Sequence, residues 1–161
     1  MYYVTGRIGG LLHGLDVKLE FDGQRLTGRI GGETVGSDVM LEVQDGQVSG
    51  RVGGARVGFD VHATLLPDKL QARLGGLVGG DNLELNLDDA ALHGRFSGRV
   101  IGKDVRLGRH GSLVTGQRLA GRVGGDVDGK DVNLVSNAPP GVAALAALIG
   151  FKLLEDGAGE A

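Results

Sequence analysis

Of 161 residues 32 are glycine and 3 proline, about a fifth of the chain, a share below that of aperiodic low-complexity sequences; with 41% hydrophobic residues the chain can build one core, and its length reads as a single domain. The absence of cysteine excludes disulfide frameworks and thiolate metal sites, and aromatics at 4% with no Trp leave few platforms for stacking nucleic-acid bases. A net charge of −3 has the wrong sign for a general phosphate-backbone binder. The first residues, Met-Tyr-Tyr-Val-Thr-Gly-Arg, show neither a basic leader nor an apolar stretch before a small-residue cleavage site, so no secretory signal is visible and a cytoplasmic location is the default expectation.

From Thr5 onward the chain repeats itself every 22 residues. TGRIGG, TGRIGG, SGRVGG, QARLGG and HGRFSG begin at Thr5, Thr27, Ser49, Gln71 and His93, and a sixth copy, AGRVGG from Ala120, arrives five residues late. The second residue of the copies is Gly6, Gly28, Gly50, Ala72, Gly94 and Gly121, and the third is always arginine: Arg7, Arg29, Arg51, Arg73, Arg95 and Arg122. Nine residues after each arginine stands Asp16, Asp38, Asp60, Asn82, Asp104 or Asp131. The five extra residues fall within Gly108 to Arg118, which reads as a lengthened surface turn.

Within each copy apolar and polar residues alternate at period two, as in Val39, Leu41 and Val43, the mark of half-buried strands. Asp22-Gly23, Asp45-Gly46 and Pro67-Asp68 are tight-turn signals that favour antiparallel hairpins. A two-residue turn at Asp22-Gly23 would set Leu19 opposite Leu26 and Val17 opposite Gly28, keeping the apolar residues on one face. Two strands per copy give twelve in an up-and-down meander, and closure into a barrel both covers the apolar face and removes the edges. At a spacing of about 4.8 Å and a tilt of about 40° twelve strands close at a radius of roughly 12 Å, more than strand side chains fill. The segment GVAALAALIGFKLL, after Asn137-Ala138-Pro139-Pro140, is apolar nearly all round and is the candidate for a buried axial helix. Its apolar run, Val142 to Leu154, is too short to span a bilayer, which takes about 20 residues.

The expected organisation is therefore an all-β, twelve-stranded antiparallel closed barrel built from six 22-residue hairpin repeats over 2–136, a linker over 137–141, an apolar helix over 142–155 and a flexible tail over 156–161. The alternative is a six-coil β-solenoid capped by that helix, in which Val35, Val57 and Val127 would supply a third inward strand. In the barrel the repeated glycines share the inward face with the leucines and valines. Two readings stay open for them: clearance for an Ala-rich helix on the axis, or bends in the strands. The twelve strands together with GVAALAALIGFKLL resemble the Tubby-like and LURP-one-related superfamily, twelve-stranded antiparallel barrels threaded by a hydrophobic C-terminal helix. The resemblance covers Tyr2 to Leu154, is architectural, and carries no functional residue over; it implies binding of acidic lipid headgroups at a membrane surface.

Several motifs have plainer explanations. Gly124 to Lys130 matches the start of a phosphate-cradling GxxxxGK loop, but Asp131 stands where Ser or Thr is required. Asp126, Asp128 and Asp131 lack the spacing of a calcium loop and its closing glutamate. The aspartates that follow the second glycines, such as Asp38, are expected to cap turns. Strand parity sets Arg29 and Asp38 on the same outer face, which predicts charge ladders across strands. His13, His62, His93 and His110 fall at different phases of the repeat and are expected at the surface without forming a metal cluster. With no cysteine nucleophile, no GxSxG elbow and no polar set that interrupts the repeat, the expectation is a non-enzymatic binding or scaffold module without cofactor or metal, partnered by an unknown protein or lipid and not by nucleic acid. Arg7, Arg29, Arg51, Arg73, Arg95 and Arg122 are the candidate ligand or lipid contacts. The alternatives are a membrane-surface protein that binds acidic headgroups through these arginines if they lack matched acids, and a β-barrel pore.

Overall fold

The structure, a computed structural model, describes residues 1–10, 12–31, 36–54, 57–75, 80–97, 102–112, 114–124 and 129–157. Its strands are β1 (Tyr2–Gly9), β2 (Gly14–Phe21), β3 (Arg25–Gly31), β4 (Gly36–Gln44), β5 (Gln47–Gly53), β6 (Gly58–Leu65), β7 (Lys69–Leu74), β8 (Asp81–Leu87), β9 (Ala91–Ser97), β10 (Gly102–Ser112), β11 (Gly116–Val123) and β12 (Lys130–Ser136). One helix, α1 (Pro140–Gly157), follows. Each strand pairs antiparallel with its sequence neighbours, and β1 pairs antiparallel with β12, Val4 opposite Ser136 and Ile8 opposite Val132, so the sheet closes into a twelve-stranded barrel. Antiparallel neighbours rule out the solenoid. Val57, inward in that alternative, is 82% exposed; Val35 and Val127 lie outside the described residues.

Period-two alternation decides which side chains line the interior. On β2, Val17, Leu19 and Phe21 are buried while Asp16, Lys18 and Glu20 are exposed, and the other strands largely follow the same rule, most aliphatics facing the axis and most charges facing outward, with Asp81, Lys103 and Lys130 on the inward side. The axis is occupied by α1, whose residues from Val142 to Lys152 are buried on every side. The helix starts at Pro140, two residues before the expected 142, because proline suits the first helical turn, and it runs to Gly157. The expected tail beyond 157 lies outside the described residues. Asn137 Oδ1 accepts from the Tyr3 amide at 2.8 Å and ties the linker to the first strand.

Two turns form as their residues demand. Asp45-Gly46, both at positive φ (52° and 78°), closes β4 to β5 with Gln44 opposite Gln47. Pro67-Asp68 closes β6 to β7, with the Leu66 amide donating to the Lys69 carbonyl at 2.8 Å. The first hairpin corrects its expected register. Asp22 Oδ1 accepts from the Gln24 and Arg25 amides at 2.8 and 2.7 Å, so the turn is Gly23-Gln24, and Leu19 faces Gly28 while Phe21 faces Leu26. The shift is two residues, which preserves the inward face. The 108–118 insertion is likewise more than a turn: it prolongs the ladder, with Arg109 opposite Leu119, His110 opposite Arg118 and Ser112 opposite Gly116, although the burial alternation ends at Leu107.

The repeated glycines do not make room for the helix. A Cβ added to Gly50 would strike the Met40 carbonyl and the Leu41 backbone on the adjacent strand, and Leu41 Cδ2 would stand 2.9 Å away; its φ of 153° also excludes most side chains. The glycine is therefore required by strand conformation and by a neighbouring leucine lying over it. Axial clearance is found instead at Gly150 of the helix, where an added Cβ would collide with Ile8 Cδ1.

Candidate functional site

The sheet register carries each repeat arginine beside the residue nine positions later. Arg7 Nη1 donates to Asp16 Oδ1 at 2.8 Å, Arg29 to Asp38 at 2.9 Å, Arg51 to Asp60 at 2.8 Å, Arg95 to Asp104 at 2.8 Å and Arg122 to Asp131 at 2.6 Å; Arg73 donates to Asn82 Oδ1 at 2.9 Å. The six thus form a ring at the mouth of the barrel where the helix ends, alternating with their acceptors. Some reach further into the loops beside them: Arg7 and Arg51 donate through Nε to the Gly10 and Gly54 carbonyls, at 3.1 and 2.9 Å, and Arg122 through Nη2 to the Gly129 carbonyl at 3.1 Å. The aspartates expected to cap turns have instead an Oδ1 taken by the arginine of the facing strand. This is a staple of strand to loop, with cations matched by acids.

Repeat four departs from the ring, and the departure holds the helix. Its acid is one residue early, at Asp81, where strand parity turns the carboxylate inward and leaves uncharged Asn82 to meet Arg73. Asp81 Oδ2 accepts from Lys152 Nζ of α1 at 2.8 Å; Asp156 lies 3.2 Å from the same ammonium, which also sits 5.2 Å above the Phe59 ring. Burial works against the Lys152 charge, but the hydrogen bond to Asp81 and the field of Asp156 outweigh it and raise its pKa above the ordinary lysine value. Lys103, at the same phase one repeat later, bonds Glu155 at 2.7 Å and lies 5.3 Å over Phe151. An asymmetric helix is thus fixed in a pseudo-symmetric barrel through an inward position that varies among the repeats: Leu15, Ser37, Phe59, Asp81, Lys103 and Lys130.

Among the described residues no three His, Asp or Glu side chains converge as metal ligands. Of the histidines, His13, His62 and His110 are exposed, and His93 is half-buried with Nε2 2.6 Å from Asp88 Oδ2. Asp126 and Asp128 of the glycine-rich loop lie outside the described residues, while Asp131 belongs to the ring. The outer wall has two open depressions of about 500 and 520 Å³, one across β5 to β8 around His62, Gln71 and Glu84, the other across β1 to β4 around Tyr3, Thr5 and Lys18. Among the described residues no helix is long and apolar enough to cross a membrane.

Reading the chain as evenly charged misses one feature. From Ala91 to Val123 there are seven Lys or Arg and a single acid, Asp104, a net charge of +6, whereas the remaining residues sum to −9. A running charge count exposes it; the whole-chain average hides it. β9, β10 and β11 are neighbours, so Arg95, Arg106, Arg118 and Arg122 share one outer wall, while Arg99 lies outside the described residues. Comparison of the chain with family models, with curated proteins and with solved structures finds no match.

Proposed function

We propose that this protein is a non-enzymatic binding or scaffold module that meets its partner on the outside of a rigid barrel. The observation that carries this reading is the filled interior: α1 occupies the axis with its sides buried from Val142 to Lys152, so a ligand has only the outer wall and the mouths. The arginine ring supports a structural role over a ligand-binding one, since five of its six cations are paired with a carboxylate and the sixth with an amide. Lipid binding through the ring, which the Tubby-like resemblance implies, needs arginines without matched acids. A pore needs a band of aliphatics facing lipid, and nearly all the described strand aliphatics are buried against the interior, Met40 and Val135 excepted.

Affinity capture tests the reading when the intact protein is compared with two charge-reversed forms, Arg106→Glu/Arg118→Glu on one wall and Glu20→Lys/Glu42→Lys on another. A binding module is expected to retain its partner in one variant and lose it in the other. Turnover of a substrate by the purified wild type, abolished by a single side-chain replacement, would overturn it.

A further inference from the structure

The positive wall is only partly neutralised. Arg95 pairs with Asp104, Arg122 with Asp131 and Lys103 with Glu155. Arg109 is held by neutral groups, the Asp88 carbonyl at 2.6 Å and Gln117 Oε1 at 3.2 Å. Arg106 and Arg118 are exposed and have no ion-pair or hydrogen-bond partner among the described residues. Register sets Arg106 opposite both Arg122 and His93, and Arg118 opposite His110. Like charges directly opposed on a sheet are destabilising, and nothing in the barrel's architecture requires them there.

Between these two rows of cations the wall carries small residues, with the His110 ring folded back over Gly108. Gly108 faces Ala120 on one side and Ala91 on the other, and His110 Nε2 stands 3.1 Å from where a Gly108 Cβ would lie. Four residues of β10 separate Arg106 from His110, a distance of roughly 13 Å. An extended chain spans the same distance between its side chains i and i+4, which point to one face. Guanidinium groups take carboxylates in paired hydrogen bonds.

The geometry points to a docking surface on the outer wall of β9, β10 and β11 for a short acidic segment of a partner protein, its carboxylates meeting Arg106 and Arg118 and its backbone lying over Ala120 beside the His110 ring. The inference rests on the reading of the protein as a binding module and names the class of partner. Nucleic acid fits less well: the described outward residues of this wall offer no Phe, Tyr or Trp for stacking, and the net −9 on the rest of the chain repels a long polyanion.

Fluorescence anisotropy with a labelled peptide of alternating Glu and Ser tests it, alongside duplex DNA of matched charge and phosphatidylserine vesicles. The full-length protein is expected to bind the peptide with an affinity that falls as salt rises. Arg106→Glu/Arg118→Glu should weaken binding about tenfold or more, Arg106→Gln/Arg118→Gln less, and Arg25→Gln on β3 not at all, with unchanged melting temperatures. Equal binding by wild type and both double variants would overturn the assignment, as would tighter binding of DNA or vesicles than of peptide. Dimerisation of the protein alone, lost in the double variant, would give the wall to a second copy and also overturn it. If the peptide fails to bind while a partner captured by the wild type is retained by Arg106→Glu/Arg118→Glu, the wall is wrong and the binding-module reading stands.

Discussion

Leucine lies over glycine at five of the six repeat positions. Gly6 faces Leu134, Gly28 faces Leu19, Gly50 faces Leu41, Gly94 faces Leu85 and Gly121 faces Leu107; where the repeat carries Ala72, the facing residue is Ala63. Size is complementary within each pair, a leucine over a residue with no side chain or one methyl beside another, as a close-packed interior demands. Gly50→Ala is therefore expected to cost about 3 kcal/mol or more, combining a strained φ with a clash against adjacent backbone, and urea unfolding measures it. The swap Ala63→Leu/Ala72→Gly should recover most of what Ala63→Leu alone loses, about 1–3 kcal/mol by overpacking; equal losses for the single and double variants would refute the pairing. Neither partner was visible from the repeat alone. The glycines were legible as inward-facing, because parity is a property of one strand, but what covers each depends on register, and two registers of the first hairpin differ by two residues and have the same parity. The Asp22 carboxylate chose between them by capping Gln24 and Arg25, and those amides hold its pKa below the usual carboxylate range.

At the scale of elements, the helix and its latch bear the most weight. Val142, Leu145, Leu148, Ile149 and Phe151 are each at most 2% exposed, and burial of such side chains is worth about 1.5–3 kcal/mol apiece, a sum comparable with the whole stability of a small domain, about 5–15 kcal/mol. Truncation after Asn137 is thus expected to give an aggregating chain, and Leu148→Asp to destabilise by several kcal/mol; a truncated form that remains monomeric with an unchanged melting temperature would show the helix to be peripheral. Lys152→Met removes one partner of a buried ion pair and should cost about 2 kcal/mol, part of which Asp81→Asn in the same chain restores. Because Lys152 titrates higher in the fold than in the unfolded chain, its contribution is complete below about pH 10 and lost as pH climbs through the raised folded value. Wild type and Lys152→Met should accordingly differ by a constant amount from roughly pH 6 to 9 and converge at higher pH. The helix was legible because it has no polar face. Its latch was not, since Asp81 and Lys152 are 71 residues apart and only closure of the barrel brings them together.

For the whole molecule, a repeat of 22 residues made strand number, meander order and closure readable, since a repeated amphipathic hairpin has few other ways to bury one face. The arginine ring was readable as a charge ladder for the same reason. The basic wall was not, because it breaks the repeat and disappears in an average charge of −3. Matched charges in the ring predict little cosedimentation with acidic liposomes at physiological salt; strong, salt-sensitive binding abolished by replacing Arg29, Arg51 and Arg73 would place lipid recognition in the ring after all. The central claim is that twelve antiparallel strands close around α1, and hydrogen exchange of the helix amides under native conditions tests it most directly. If the helix is threaded, amides from Ala144 to Phe151 exchange only through global unfolding, at the slowest rates in the protein and with the full denaturant dependence. Exchange of those amides by local opening, faster than the strands and insensitive to denaturant, would contradict the account.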